Sequence, residues 1–223
     1  AIQWGNLGEG TYGGMWTNYP FWMNEYSSWS EDKHHIIWTG ADFKFGVNQL
    51  QKVIDKLKTN PDDRRMIVSA WHPYWVDHCV LPPCHCLFHF NTEELTTQER
   101  WIILPNYTTG TEDPSLFIQG YINLDENMDQ VGVPRRRLNC LLYQRSCDTF
   151  LGVPFNISSY SLLTCMIAHI VGMVPGEFIH TYGDLHIYEN HLEQVKIQMS
   201  RDSQSHPKLW LNPKVSNFFD FKN

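Results

Sequence analysis

Phe45, Val47, Leu50, Val53, Ile54 and Leu57 recur at helical steps with Lys and Gln between them. That spacing puts them on one apolar face and predicts an amphipathic helix over residues 45–58. Asn60-Pro61-Asp62-Asp63 stops it. Met66–Trp71 and Leu87–Phe90 are short apolar runs and predict buried strands. Leu138–Gln144 and Phe178–Tyr182 predict two more. Ser158–Val171 is strongly apolar, which predicts a buried helix, and Ile187–Met199 returns to an amphipathic helical period. Residues 1–44 are rich in Gly, Trp and Tyr and predict loops with short elements. Residues 91–137 are polar and turn-rich, with Thr-Thr-Gly, Glu-Asp-Pro and Val-Pro-Arg-Arg-Arg. They predict an insertion, a hairpin with strands over Trp101–Leu104 and Leu116–Ile122. The sum is a mixed α/β domain, of α+β type, with helices buried against a sheet.

Length and composition narrow the class. The 223 residues suit one domain over 1–223 with a sizeable core. Apolar residues are 42% and charged residues 18%, which excludes a disordered chain. Mean hydropathy is −0.38. No apolar run approaches the ~20 residues of a membrane span, so no membrane association is expected. The start, Ala1-Ile2-Gln3-Trp4-Gly5, lacks the charged and apolar regions of a signal peptide. Net charge is −7, so a broad nucleic-acid-binding face is not expected, though an arginine pocket for one phosphate is compatible. Six cysteines without a leader read as free thiols of a reducing compartment, and the expected location is the cytoplasm. Nine Trp, ten Tyr and twelve Phe serve core packing first and flat-ligand pockets second.

Three stretches carry candidate chemistry. In Leu81-Pro82-Pro83-Cys84-His85-Cys86 the prolines fix the backbone ahead of Cys84. A neighbouring imidazole can lower a thiol pKa, and a thiolate attacks electron-poor carbon. A buried structural cysteine fits the same letters. So does a metal site drawing on His78, Cys79, Cys84, Cys86 and His89, although the spacing is not that of the common zinc motifs. In Tyr143-Gln144-Arg145-Ser146-Cys147-Asp148 an Arg-Ser pair at a strand end suits a phosphate. Asn156 offers both a donor and an acceptor to an amide edge such as that of uracil. Arg64-Arg65 reads as a phosphate pair or as a solvated face. In His180-Thr-Tyr-Gly-Asp184-Leu-His186-Ile-Tyr188, His186 and Tyr188 share one side of an extended chain and suit a sugar hydroxyl. Arg135-Arg136-Arg137 reads as an electrostatic guide for phosphate or as solvated surface.

Taken in order, these stretches resemble the thymidylate synthase family. The resemblance runs through Asp63-Arg64-Arg65, Leu81-Pro-Pro-Cys84-His85, Tyr143–Tyr160 and Gly183-Asp184-x-His186-x-Tyr188-x-Asn190-His191. It extends to Pro207-Lys208-Leu209 and Phe219-Asp220-Phe221, and it covers most of the chain outside 17–44 and 91–137. It implies a mixed sheet packed with helices, with sheet faces pairing into a homodimer. It implies dUMP as substrate, 5,10-methylenetetrahydrofolate as co-substrate, and no metal. Cys84 matches the cysteine that adds to C6 of dUMP, with His85 beside it. Arg145 and Ser146, after Gln144, match phosphate ligands, and Arg64 and Arg65 match the pair that reaches the partner's phosphate. Asn156 matches the residue that reads the uracil edge, and His186 and Tyr188 match sugar ligands. Asp148, Leu81 and Gly152 match folate positions. Tyr12 matches a tyrosine near the reacting base, and Trp4 a folate-pocket tryptophan.

There are departures. The family's N-terminal segment, with a further phosphate arginine and a proton-transfer glutamate, and its closing C-terminal tail lie outside this sequence. His72 stands where Asn is usual and His89 where Gln is usual. Residues 91–137 replace a short hairpin. The departures raise the related phage dUMP hydroxymethylase, where water adds to the same exocyclic methylene intermediate. A non-catalytic nucleotide- or RNA-binding relative would have lost Cys84 or the arginines, and a zinc module is the remaining alternative.

Overall fold

The computed structural model describes residues 16–17, 19–24, 28–29, 36–37, 42–73, 76–79, 81–108 and 124–221. The sequence expectations for Trp4, Tyr12 and Leu116–Ile122 fall outside these residues.

The chain reaches its first helix through two antiparallel pairs. Strand β1 (Tyr19–Asn24) pairs with β4 (Asp42–Val47), and β2 (Ser28–Trp29) with β3 (Ile36–Ile37). Helix α1 (Gln49–Thr59) follows at once. Asn48 caps it, its side chain accepting from the Gln51 amide at 2.9 Å. Leu50, Val53, Ile54 and Leu57 are buried as the period required. Phe45 and Val47 are corrected: they belong to β4, because the helix can begin only after its cap.

The main sheet has the order β5-β6-β7-β8, from Ile67–Ser69, His85–Glu94, Arg136–Asp148 and Val174–His186. The first three strands are antiparallel, and β8 runs parallel to β7. A parallel neighbour needs a crossover. Helix α4 (Gly152–Val171) supplies it and ends on Gly172 at φ 69°, where a side chain would be strained. By length and composition α4 could cross a bilayer, contrary to the expectation that no segment would. Here Val153, Tyr160, Thr164, Ile167 and Ala168 bury one side of it. Together with α1 it covers Met66, Val68, Phe88, Phe90, Leu138, Cys140 and Leu142 of the sheet. The other sheet face is open. Ile67, Tyr143 and Ile179 are 46, 39 and 42% exposed there.

Residues 91–137 depart from the expected hairpin. β6 runs on to Glu94, and β7 starts at Arg136. Trp101–Leu104 is not a strand: helix α2 (Thr97–Ile103) and a 3₁₀ turn occupy it. The cause is a capping box. Thr96 Oγ1 accepts from the Glu99 amide, and Glu99 accepts from the Thr96 amide. Helix α3 (Leu124–Gln130) packs alongside, and Leu104, Met128 and Val133 form a satellite core. Arg100, 1% exposed, ties the unit together. It donates to both Asp125 and Asp129 and to the carbonyls of Val133 and Pro134.

After β8 a 3₁₀ turn at Glu189–His191 leads into α5 (Leu192–Met199). The expected helix from Ile187 therefore starts later.

Candidate active site

The catalytic candidates converge where β6 begins and β7 ends. Cys84 is a half-buried cysteine, in no disulfide, immediately before β6. Its carbonyl accepts from the Arg145 amide at 2.8 Å, which locks the turn to β7. The Arg145 guanidinium does the same from the side chain. Nε donates to Pro83 O at 2.9 Å and Nη2 to Pro82 O at 2.8 Å. Its Cζ stands 5.8 Å from the centre of the Trp71 ring. Two prolines limit the backbone of this turn and one arginine fastens it.

His85 points its Nδ1 at the Tyr160 hydroxyl, 3.2 Å away. Burial pushes its pKa down to about 4, against an opposing pull from Asn156. The imidazole is therefore neutral near pH 7. Desolvation outweighs the Asn156 pull, and the cation fastened to this turn is Arg145. Tyr160 lies four residues after Asn156, so both project from one side of α4. Asn156 Oδ1 is buried beside His85 and makes no well-formed hydrogen bond. A buried acceptor left empty costs about 1–3 kcal/mol, so it suits a ligand donor. A cavity of about 240 Å³ opens here, with Trp16, His85, Asn156, Tyr160 and Met166 in its wall. Trp16 packs edge-on against Phe88 and Tyr160.

The strand ends hold the remaining candidates. The pairs Ser146↔Asp184 and Asp148↔His186 place the Arg-Ser segment beside the His186 segment. Gly183 makes that approach possible, because a Cβ there would lie 2.6 Å from the Arg145 carbonyl oxygen. Gln144 is 3% exposed, and its amide is spent internally. Nε2 donates to Ser146 O at 2.9 Å and Oε1 faces His180 Nε2 at 3.0 Å. Its place is behind the phosphate candidates, an orienting one. His186 Nδ1 lies 3.3 Å from Asp184 O, and its ring meets Tyr188 edge-on at 5.1 Å. Asp148 Oδ1 accepts from the amides of Phe150 and Leu151, shaping the turn into α4. Gly152 opens that helix, and a Cβ there would stand 3.6 Å from Asn156 Oδ1. Leu81 and Phe155 flank the site, 75 and 74% exposed.

Arg64 and Arg65 lie apart, exposed on the turn after α1. Their guanidinium groups make no hydrogen bond among the described residues. Arg135, Arg136 and Arg137 are paired instead, with Asp129, with Asp62 and Glu94, and with Glu99 and Glu93. They do not form an open guide for phosphate. Among the described residues no cluster of three or more His, Cys, Asp or Glu side chains is placed to hold a metal ion. Sequence reasoning missed Tyr160, Trp16, Trp71 and His180. Only Tyr160 carried a signal, its four-residue step from Asn156.

The family model for thymidylate synthase matches residues 1–223, and the chain belongs to that family. The family acts on dUMP with methylenetetrahydrofolate as co-substrate.

Proposed function

We propose that the protein carries a one-carbon unit from 5,10-methylenetetrahydrofolate to C5 of dUMP and releases dTMP. The observation that carries this reading is Asn156 Oδ1, buried in the wall of the cavity that is also lined by His85, the neighbour of Cys84. It fits the N3–H of uracil, and the amide N–H₂ fits O4. The Cys84 thiolate adds to C6, and the electron pair moves to C5, which becomes nucleophilic toward the methylene carbon. Loss of the C5 proton and cleavage of the bond from the methylene carbon to the folate nitrogen expel tetrahydrofolate and leave an exocyclic methylene, with Cys84 still joined to C6. Hydride from that tetrahydrofolate adds to the methylene, the Cys84 thiolate leaves, and dTMP and dihydrofolate result. Arg145 and Ser146 take the phosphate, and His186 and Tyr188 take the sugar. Leu81, Asp148 and Gly152 are assigned to the folate, and the family resemblance alone assigns Trp4 to the folate and Tyr12 to the reacting base. Two copies pair through the open sheet face, so that Arg64 and Arg65 serve the partner's phosphate.

The test is the mass of the nucleotide formed from dUMP and methylenetetrahydrofolate. A methyl gain with dihydrofolate supports the reading. A hydroxymethyl gain with tetrahydrofolate means that water captures the intermediate, and the protein is then a dUMP hydroxymethylase. Cys84→Ser should abolish turnover, at least 10³-fold, while calorimetry still shows dUMP binding. A near-normal rate would remove Cys84 as nucleophile.

A further inference from the structure

The Pro61–Arg65 turn is held from outside by a residue of another element. Arg136, the first residue of β7, reaches it across Thr92 of β6. Its Nη2 donates to Asp62 Oδ1, and its Nε donates to Thr92 Oγ1 at 2.9 Å. Thr92 Oγ1 in turn donates to the Pro61 carbonyl at 2.9 Å. Nη1 donates to Glu94 Oε1 at 3.0 Å, which fixes the plane of the guanidinium. The Arg136 side chain is 15% exposed and spans both ends of this arrangement. Inside the turn, Asp63 pairs with Lys56 and accepts from the Arg65 amide at 2.7 Å. Every bond in this set stops short of two groups, the guanidiniums of Arg64 and Arg65.

We infer that Arg136 is a positioning residue for the phosphate of the substrate: it holds the turn that presents Arg64 and Arg65. The inference rests on the reading of those two arginines as phosphate ligands. A flexible turn would have to be ordered when the anion binds, and that ordering would weaken binding. A turn already braced by a planar, three-way donor avoids the loss. Lysine has one donor centre and cannot replace all three bonds at once. The brace affects phosphate capture and leaves the reacting carbon alone.

The test uses the full chain and two ligands, dUMP and inorganic phosphate as a competitive inhibitor. Arg136→Met should raise the KM for dUMP and the Ki for phosphate by about tenfold each, with kcat within about twofold. Arg136→Lys should recover only part of this. In an Arg64→Ala/Arg65→Ala background, Arg136→Met should add nothing, because the brace then has nothing to present. A large added effect there would overturn the proposal, as it would show a general fold defect. So would an unchanged KM in Arg136→Met when Arg64→Ala/Arg65→Ala weakens dUMP. If Arg64→Ala/Arg65→Ala itself binds dUMP normally, the phosphate reading of the pair falls, and the brace with it. Asp62→Asn removes one bond at an exposed acid. It gives a milder variant, expected near threefold on KM, should Arg136→Met fold poorly. No change on KM in Asp62→Asn would then count against the brace.

Discussion

Burial holds His85 at about 4 in the folded chain, while an unfolded histidine titrates near 6.5. Between those values the unfolded chain binds a proton that the folded one does not, so stability falls as pH drops through that window and levels off below it. His180, also lowered by burial, acts in the same direction. The span for His85 is about 3 kcal/mol. Urea midpoints at pH 7, 5.5 and 4 should fall further for the wild type than for His85→Gln, and equal slopes would contradict the neutral, buried imidazole. Asn156→Asp exchanges the donor half of the amide for a second acceptor. Competition kinetics should show the preference for dUMP over dCMP falling by tenfold or more, ~1–3 kcal/mol. Cys84, Arg145 and Asn156 could be singled out as candidates in the sequence because the chemistry proposed for them tolerates few substitutes. Trp71 under Arg145 could not, since that contact joins residues far apart along the chain.

Elements were legible in kind more than in extent. β7 was expected over Leu138–Gln144 and runs from Arg136 to Asp148. Its two ends are rich in Arg, Ser and Asp, whose propensity does not announce a strand, and pairing with β6 and β8 carries it through them. Those polar ends are where the phosphate candidates sit, so the part that periodicity missed is part of the site. α2 was misread for the reverse reason. Apolar Trp101–Leu104 suggested a strand, while the Thr96–Glu99 capping box three residues ahead dictated a helix. At this scale Gly183 is the joint. With a Cβ 2.6 Å from the Arg145 carbonyl oxygen, Gly183→Ala must push β8 away from β7. The expected cost is about 1–3 kcal/mol by urea unfolding. The KM for dUMP should rise with it, since Arg145 and His186 lie on the two strands being parted. Normal kinetics would mean the strands can relax.

For the molecule as a whole, the described residues 97–108 and 124–134 form a second packing unit on the far end of the β6–β7 pair, remote from Cys84. Its centre is one buried guanidinium, which sequence patterning cannot see because Arg reads as surface. Arg100→Met leaves the Val133 and Pro134 carbonyls without their donor and takes one partner each from Asp125 and Asp129. A loss of about 2–4 kcal/mol is expected within that unit. Hydrogen exchange should show α2 and α3 losing protection while β7 and β8 keep theirs, the pattern of sub-global opening. Uniform loss would mean that the two cores melt together. The cysteines have a separate consequence. Burial raises the pKa of Cys86, Cys147 and Cys165, and pushes Cys140 up to about 12. Burial disfavours the thiolate of those four sulfurs, the form that alkylating reagents attack. The fold thus lowers the background at four of the six cysteines when a labelling mass spectrum is used to ask whether the nucleophile's place is filled.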